Sequence, residues 1–323
     1  MLKHTCTYLA TFVVFCGGLL ATATPPASAQ STSIVPDDAA WVMRMQPSVL
    51  ASSEFGEVIL EAFEEEEPEK LEFVEGVSDA LGIDLLEGLG EVTLFGKGFL
   101  RSHTQIAVDL GEQPGNLEGL LIAVPGYQST EYRGQMLIHS IPSDDAKAVD
   151  PLAERLYIAI VQHPADNRWV ALAAHLEPNL KAMASAVLDD QRPLASAPLG
   201  EGVVFHAAVL KNHGAMLGEN SEHNHIAQMI DRLDLTGQVY EDVTLSLKVS
   251  VVSALRARQV SQLLQGLIAG VQIAAINDPA AERLGMLLQD ATVDWQQGSS
   301  EVHATTVISP DTILDLRPGE LDL

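Results

Sequence analysis

Cysteine is almost absent from this sequence of 323 residues. The two cysteines, Cys6 and Cys16, both lie within the first 29 residues. Once that segment is removed, the chain contains no thiol, which excludes disulfide bonds, thiolate catalysis and cysteine-ligated metals. The remaining chain of about 294 residues is long enough for one large or two modest hydrophobic cores without disulfide stabilisation.

Basic residues are also scarce. The chain has 18 lysines and arginines against 44 aspartates and glutamates, which gives a formal net charge of −26 at pH 7. Such a surface repels phosphate backbones, so the composition argues against nucleic acid as a partner. The densest acidic run, Glu64–Glu69, lacks the glycine and the alternating carboxylates of a calcium loop. We therefore predict that it forms a hydrated helix end and loop.

Apolar runs long enough to span a bilayer are missing. The N-terminal segment has Lys3, an apolar stretch at Tyr8–Ala23 and the small-x-small pattern Ala27-Ser28-Ala29, which is typical of a signal peptide. Its apolar stretch of about 16 residues is shorter than the roughly 20 residues that a transmembrane helix needs. The sequence predicts cleavage after residue 29 and a periplasmic or extracellular protein. A later apolar run, Leu263–Ile276, is interrupted by glutamines and glycines and is predicted to be a buried helix.

A central block, residues 116–190, has the clearest pattern of secondary structure. Short connections such as Pro164–Asn167 require antiparallel neighbours. The pattern predicts an α+β fold in which mainly antiparallel sheets carry helices on one face. The predicted elements of this block are strands at Leu120–Val124, Gln135–Ile141, Arg155–Gln162 and Arg168–Ala174 and a helix at Leu176–Leu188.

The flanking regions add further strands and helices. Before the block, we predict strands at Ala40–Met45, Glu91–Gly96 and Gln105–Leu110 and helices at Ser53–Phe63 and Leu71–Leu81. After it, we predict strands at Val203–Leu210, Asp242–Val251, Ala291–Gln297 and Glu301–Ile308, and helices at Ser221–Leu233 and within Ser253–Gln289.

A segment rich in proline and glycine, Gln191–Gly202, is the best domain boundary. Together with the N-terminal segment, this boundary divides the chain into a predicted signal peptide (1–29), an N-terminal half (30–198), a C-terminal half (199–309) and an acidic tail (310–323). The similar segments Glu91–Leu94 and Asp242–Leu245 suggest an internal duplication of two related halves. The alternative is that two ordinary half-buried strands agree by chance.

Three short segments resemble a known group of proteins. They are Val35-Pro36-Asp37-Asp38-Ala39 before a strand, the turn Tyr132-Arg133-Gly134, and a helix that begins Glu-Pro-Asn-Leu-Lys-Ala at residue 177. Together they resemble exported bacterial α+β proteins of unknown function, which have strand and helix repeats behind a signal peptide. The resemblance implies an extracytoplasmic α+β protein and transfers no catalytic residues.

Histidines are concentrated in one region, at His206, His213, His223 and His225. Imidazoles in a loop can hold zinc or copper, which makes His213, His223 and His225 candidate metal ligands. In a helix, however, residues 223 and 225 would point about 200° apart and could not share one ion. The alternative is that these are ordinary surface or core histidines.

Catalytic signatures are missing from the chain. It has no Gly-x-Ser-x-Gly, Ser-x-x-Lys or His-Glu-x-x-His pattern, and its aromatic content of 5% argues against a carbohydrate site. The sequence therefore favours an exported non-enzymatic protein that binds or associates with an unknown protein or small molecule, without a cofactor. An exported hydrolase with a triad built from distant residues and a histidine-dependent metal binder are the alternatives.

Overall fold

The computed structural model describes most of the chain after the N-terminal leader. The described residues are 33–66, 68–98, 100–134, 136–143, 150–189, 199–209, 230–276 and 278–315. Their strands are β1 (Trp41–Met45), β2 (Val92–Gly96), β3 (Thr104–Gly111), β4 (Gln128–Tyr132), β5 (Met136–Pro142), β6 (Arg155–Gln162), β7 (Trp169–Ala174), β8 (Val203–Val209), β9 (Ile230–Val239), β10 (Val243–Val251), β11 (Thr292–Trp295) and β12 (Glu301–Ile308). Their α-helices are α1 (Pro47–Ala51), α2 (Glu54–Glu66), α3 (Pro68–Leu81), α4 (Leu117–Ile122), α5 (Glu177–Leu188), α6 (Ala254–Ala274), α7 (Pro279–Leu287) and α8 (Pro310–Asp315).

All twelve strands belong to a single antiparallel sheet. Their order is β11-β12-β10-β9-β8-β1-β2-β3-β7-β6-β5-β4. The first strand lies in the middle, where Met43 is paired with Leu94 of β2 on one side and with Ala207 of β8 on the other. The predicted α+β class is confirmed, with one continuous sheet in place of several.

The proposed duplication stays a prediction. The two similar segments fall on β2 and β10. Strand β2 is the immediate neighbour of β1, whereas β10 is separated from β8 by β9. The two segments therefore occupy different places in the strand order of their respective halves.

One face of the N-terminal part of the sheet is covered by α5. Apolar residues recur at helical spacing along α5, and its Leu180 and Val187 are fully buried against Ile138 and Leu172 of the sheet. Pro178 lies in the first turn of the helix, where a missing amide hydrogen removes no helical hydrogen bond. This helix and the strands beneath it form the largest apolar cluster among the described residues.

The opposite face of the same strands is covered by α4. Its Leu121 packs against Ile141 of β5 and Ile158 of β6, on the face opposite Ala159, which belongs to the α5 cluster. The prediction that helices lie on one face is therefore wrong. Because β5 and β6 carry apolar side chains on both faces, the sheet needs a covering layer on each side.

Helix α4 also replaces the strand that was predicted at Leu120–Val124. A short apolar run cannot be assigned to strand or helix by periodicity alone. Here the helix begins after Asn116, with Glu118 in its first turn, and buries Leu121 while Ile122 stays 56% exposed. Contact with the sheet therefore decided the conformation of this segment.

The predicted helix Ser221–Leu233 is wrong where it can be compared. Residues 230–233 form the start of β9, and residues 221–229 lie outside the described ranges. Ile226, Ile230 and Leu233 have helical spacing. From Ile230 onward, however, the segment is paired with β10, with one irregularity at Asp231, and pairing with a neighbouring strand outweighs local spacing.

The long helix α6 covers the C-terminal part of the sheet. Its Ala257 and Val260 pack against Val249, Val251 and Val302. The side chain of Ser253 precedes the helix and accepts a hydrogen bond from the amide of residue 256 at 3.4 Å. In the part of the chain that the structure describes, no helix has both the length and the apolar character to cross a bilayer.

Candidate functional site

The predicted metal ligands His213, His223 and His225 lie outside the described residues, so the proposed site there stays a prediction. The neighbouring His206 is described, and its Nε2 lies 3.2 Å from Oδ1 of Asp234. Within the described ranges, the structure brings together no group of three or more His, Cys, Asp or Glu side chains that could hold a metal ion.

His206 belongs to a series of charged side chains across the middle of the sheet, which we call the charged ladder (Glu91, Arg44, His206, Asp234 and Arg232). Nε of Arg44 donates to Oε1 of Glu91 at 2.7 Å, and Nη2 of Arg232 donates to Oδ1 of Asp234 at 2.6 Å. Arg44 on β1 is opposite His206 on β8, so the two ion pairs are neighbours on one face. The ion pairs Arg44–Glu91 and Arg232–Asp234 thus lie side by side, with His206 between them.

The charged groups of the charged ladder form hydrogen bonds with one another. Burial by itself raises the pKa of Asp234, but the hydrogen bonds from His206 and Arg232 outweigh burial and hold that pKa below its ordinary value. The carboxylate is therefore ionised at neutral pH and engaged with two partners. This arrangement stabilises an ion pair within the sheet and provides no accessible acid or base for catalysis.

A second polar cluster surrounds His139 on β5. Its ring is 2% exposed; Nδ1 lies 2.9 Å from the hydroxyl of Tyr127, and Nε2 lies 3.6 Å from Oε1 of Glu118. Burial lowers the pKa of His139, and the nearby carboxylate of Glu118 opposes this shift only in part. The imidazole is thus a neutral, hydrogen-bonded group beneath α4.

Ser102, His103 and Asp150 provide the residue types of a hydrolase triad. The carboxylate of Asp150, however, accepts hydrogen bonds from the backbone amides of Ser102 at 2.7 Å and Leu152 at 3.1 Å. The Ser102 side chain is fully buried, and its hydroxyl makes no hydrogen bond of ordinary geometry. A substrate could not reach this hydroxyl, so the cluster anchors a loop and does not support the hydrolase alternative.

The most unusual surface lies on α6. Of the fifteen large apolar side chains that are exposed among the described residues, seven fall between Val252 and Leu284. Those on the helix include Leu255 (68% exposed), Leu267 (57%) and Ile273 (67%). The prediction that Leu263–Ile276 is a buried helix is therefore wrong for the outward side of the helix. We call this side the outer face of α6 (Leu255, Leu263, Gly266, Leu267, Gly270, Ile273 and Ala274).

The sequence carried a signal for this exposure. At 100° per residue, the outer face covers an arc of about 120°. The buried Ala257 and Ser261 lie on the opposite side, and the buried Val260 lies beside Leu267 at the edge of the arc. The run 259–277 contains no charged residue, which made the segment resemble a core helix. Gln262, Gln265 and Gln272 are exposed, and glutamine at these positions could have indicated a helix that is covered on one side only.

Comparisons with known proteins identify no family. No protein-family description matches the chain, and no curated protein matches it. Two solved structures of a bacterial protein, TP0453 in crystal forms III and IV, are similar to it at a distance. They are 10% and 11% identical in sequence, with TM-scores of 0.44 and 0.45, over 90% of this chain and 98% and 96% of theirs.

Proposed function

We propose that this chain is an exported, non-enzymatic protein that acts by associating with another macromolecule through the outer face of α6. The observation that carries the proposal is a helix with no charged side chain from residue 259 to its end at Ala274, which exposes leucine and isoleucine side chains to solvent. Contiguous apolar patches of more than a few hundred Å² are rare on soluble monomers and are typical of interaction sites.

The outer face is not an incompletely packed part of the core. The inward side of α6 already packs on the sheet through Ala257, Val260 and Leu264. Burial of the outer face therefore requires a surface from outside the described fold. Association is favoured because it removes apolar area from water without disturbing the contacts that hold the helix.

The polar clusters support binding over catalysis. In the charged ladder, each charged group is engaged with a neighbour, and His139 is engaged with Tyr127. A catalytic site needs an acid, base or nucleophile that a substrate can approach. The groups of the charged ladder and of the His139 cluster contribute to the fold instead.

Site-specific photo-crosslinking tests the proposal. Residues 30–323 contain no cysteine, so Leu267→Cys provides a unique attachment point for a benzophenone maleimide. Irradiation in the envelope or secreted fraction of the exporting cell should give one adduct of defined mass. Val58→Cys, labelled in the same way, is the matched control because Val58 is an apolar side chain on α2 that is 41% exposed.

Two results decide the outcome. The adduct should disappear when Leu263→Glu is added to the Leu267→Cys variant, because a charge in the same face prevents apolar contact. Adducts of equal yield from positions 267 and 58, or no adduct from position 267, would overturn the proposal.

A further inference from the structure

We infer that the outer face of α6 binds a second copy of the same chain, with the two α6 helices packed antiparallel across a two-fold axis near Leu267 and Gly270. This inference rests on the proposed function, since it names the partner for the same face. A two-fold interface uses one patch twice, so the patch must be complementary to itself in shape and in charge.

The shape of the outer face fits this requirement. An added Cβ at Gly266 or at Gly270 would meet nothing within 4 Å, so two shallow depressions lie between the larger side chains. In an antiparallel pair centred between residues 268 and 269, Leu267 lies opposite Gly270 of the partner subunit. Leu263 then lies opposite Ala274 of the partner subunit. Large side chains thus face small ones, and small residues allow two helix backbones to approach closely.

The charges at the two ends of α6 select the antiparallel direction. Arg256 and Arg258 lie in the first turns of the helix, whereas Asp278 and Glu282 follow its C-terminal end, and all four are exposed. Arg283 lies next to Glu282, so the two ends carry formal charges of opposite sign, two positive at the first and one negative at the second. Antiparallel packing brings the basic end of one helix to the acidic end of the other. It also aligns the two helix dipoles favourably. Parallel packing would instead place like charges side by side.

The high net charge does not prevent this contact. With a formal charge of −26, two copies repel each other, but salt limits this repulsion to short distances. Two helix layers of about 10 Å each separate the two sheets, whereas charges are screened over about 8 Å at physiological ionic strength. Two such acidic molecules can approach each other with the smallest electrostatic repulsion through the helix segment that contains no charged residue.

Analytical ultracentrifugation of the exported protein at physiological salt tests the inference. The wild-type protein should sediment as a dimer. Leu267→Glu should weaken the dimer at least tenfold, because symmetry places two new charges in one interface. Gly270→Leu should also weaken it, because the added side chain fills the depression that receives Leu267. Val58→Glu, on α2, should leave the dimer unchanged. Equal melting temperatures of the monomeric variants would confirm that they remain folded.

Engineered cysteines test the direction of packing. Leu267→Cys lies near the proposed axis, where Cα atoms within about 4.4–6.8 Å allow a disulfide, and should form covalent dimers on oxidation. The two copies of Leu255→Cys would be about 40 Å apart at 1.5 Å per residue and should not be linked. Efficient linkage at both positions would overturn the antiparallel arrangement.

Flotation with phosphatidylcholine vesicles separates the failure of this inference from the failure of the proposed function. A monomeric wild-type protein that binds vesicles, and loses this binding in Leu267→Glu, would assign the face to a lipid surface. A monomer that gives a photo-adduct of another defined mass would assign it to a different protein. Either result would overturn the second copy but retain the proposed function. A monomer with no adduct and no vesicle binding would overturn both.

Discussion

At the scale of single residues, a few buried polar groups are held by specific partners. His139 and His175 are both histidines whose pKa burial lowers. His139 is paired with the Tyr127 hydroxyl, and Nδ1 of His175 lies 3.1 Å from the carbonyl oxygen of Arg155. Because that carbonyl oxygen can only accept, Nδ1 of His175 carries the proton. Each neutral ring is therefore matched to its surroundings in one protonation state.

These histidines predict a loss of stability in acid. Their folded-state pKa values lie below the ordinary value of about 6.5, so the unfolded chain takes up protons that the folded chain does not accept as the pH falls below about 6.5. We therefore expect the melting temperature to be insensitive to these groups above pH 6.5 and to decrease below it. His139→Asn should reduce this dependence, while its loss of packing and of a hydrogen bond should lower stability at pH 7 by about 1–3 kcal/mol.

Thermal melts at a series of pH values from about 7.5 to about 5 measure the effect. His303→Asn is the matched control, because the His303 side chain is 54% exposed, and this variant should keep the wild-type pH dependence. An unchanged pH dependence in His139→Asn would show that this buried ring is not responsible.

At the scale of elements, an aromatic ring lies across a glycine where β8 and β9 pair. Phe205 is directly opposite Gly237, and a Cβ at position 237 would be 2.2 Å from Cε1 of the ring. A glycine inside a strand weakens it by itself. Here the glycine provides the space for the ring of Phe205, which also packs against the apolar cluster that contains Met43 and Leu94.

Gly237→Ala should therefore destabilise the protein, by about 1–3 kcal/mol, because the methyl group forces Phe205 out of its position. Gly76→Ala on α3 is the matched control. A Cβ there meets nothing within 4 Å, so the higher helix propensity of alanine should stabilise the protein by up to about 1 kcal/mol. Urea unfolding followed by circular dichroism measures both changes. If Gly237→Ala were as stable as the wild-type protein, the close packing of Phe205 on Gly237 would be disproved.

At the scale of the whole molecule, one sheet joins residues that are far apart in the sequence. Strand β1 pairs with β8, so Trp41 is opposite Val209, and the predicted boundary at residues 191–202 does not divide the sheet. The N-terminal and C-terminal halves therefore share one sheet, and the acidic charge of the chain and the outer face of α6 belong to the same folded unit. The acidic charge favours solubility, and the outer face of α6 supports the proposed association.

Export of the whole chain is predicted from its N-terminal segment. The protein recovered from the envelope or the medium should begin at Gln30, because Ala27-Ser28-Ala29 has the small residues that a signal peptidase requires. Ala29→Leu should block cleavage, whereas Ala10→Leu, within the apolar stretch, should leave it intact. Intact-mass measurement distinguishes these forms. A wild-type mass that still includes residues 1–29 would refute cleaved export.

The sequence by itself determined the class of fold and many of its elements. Strands at Arg155–Gln162 and Glu301–Ile308 were predicted with the bounds that the structure shows. The tight connection at Pro164–Asn167 was predicted as a hairpin, and Asn167 adopts a positive φ of 59° there. These features could be predicted because alternation of side chains and turn chemistry are local properties.

Only the tertiary structure decided which surface each segment meets. Residues 120–122 became part of a helix because the sheet offers an apolar face to Leu121. Ile230–Val239 became a strand because β8 and β10 lie on either side of it. The candidate metal ligands could not be assessed from the sequence beyond their spacing. The exposure of the outer face of α6 could not be predicted from the sequence. Hydrophobic periodicity shows which side of a helix can be buried, but only packing in three dimensions determines whether the remaining apolar side is covered.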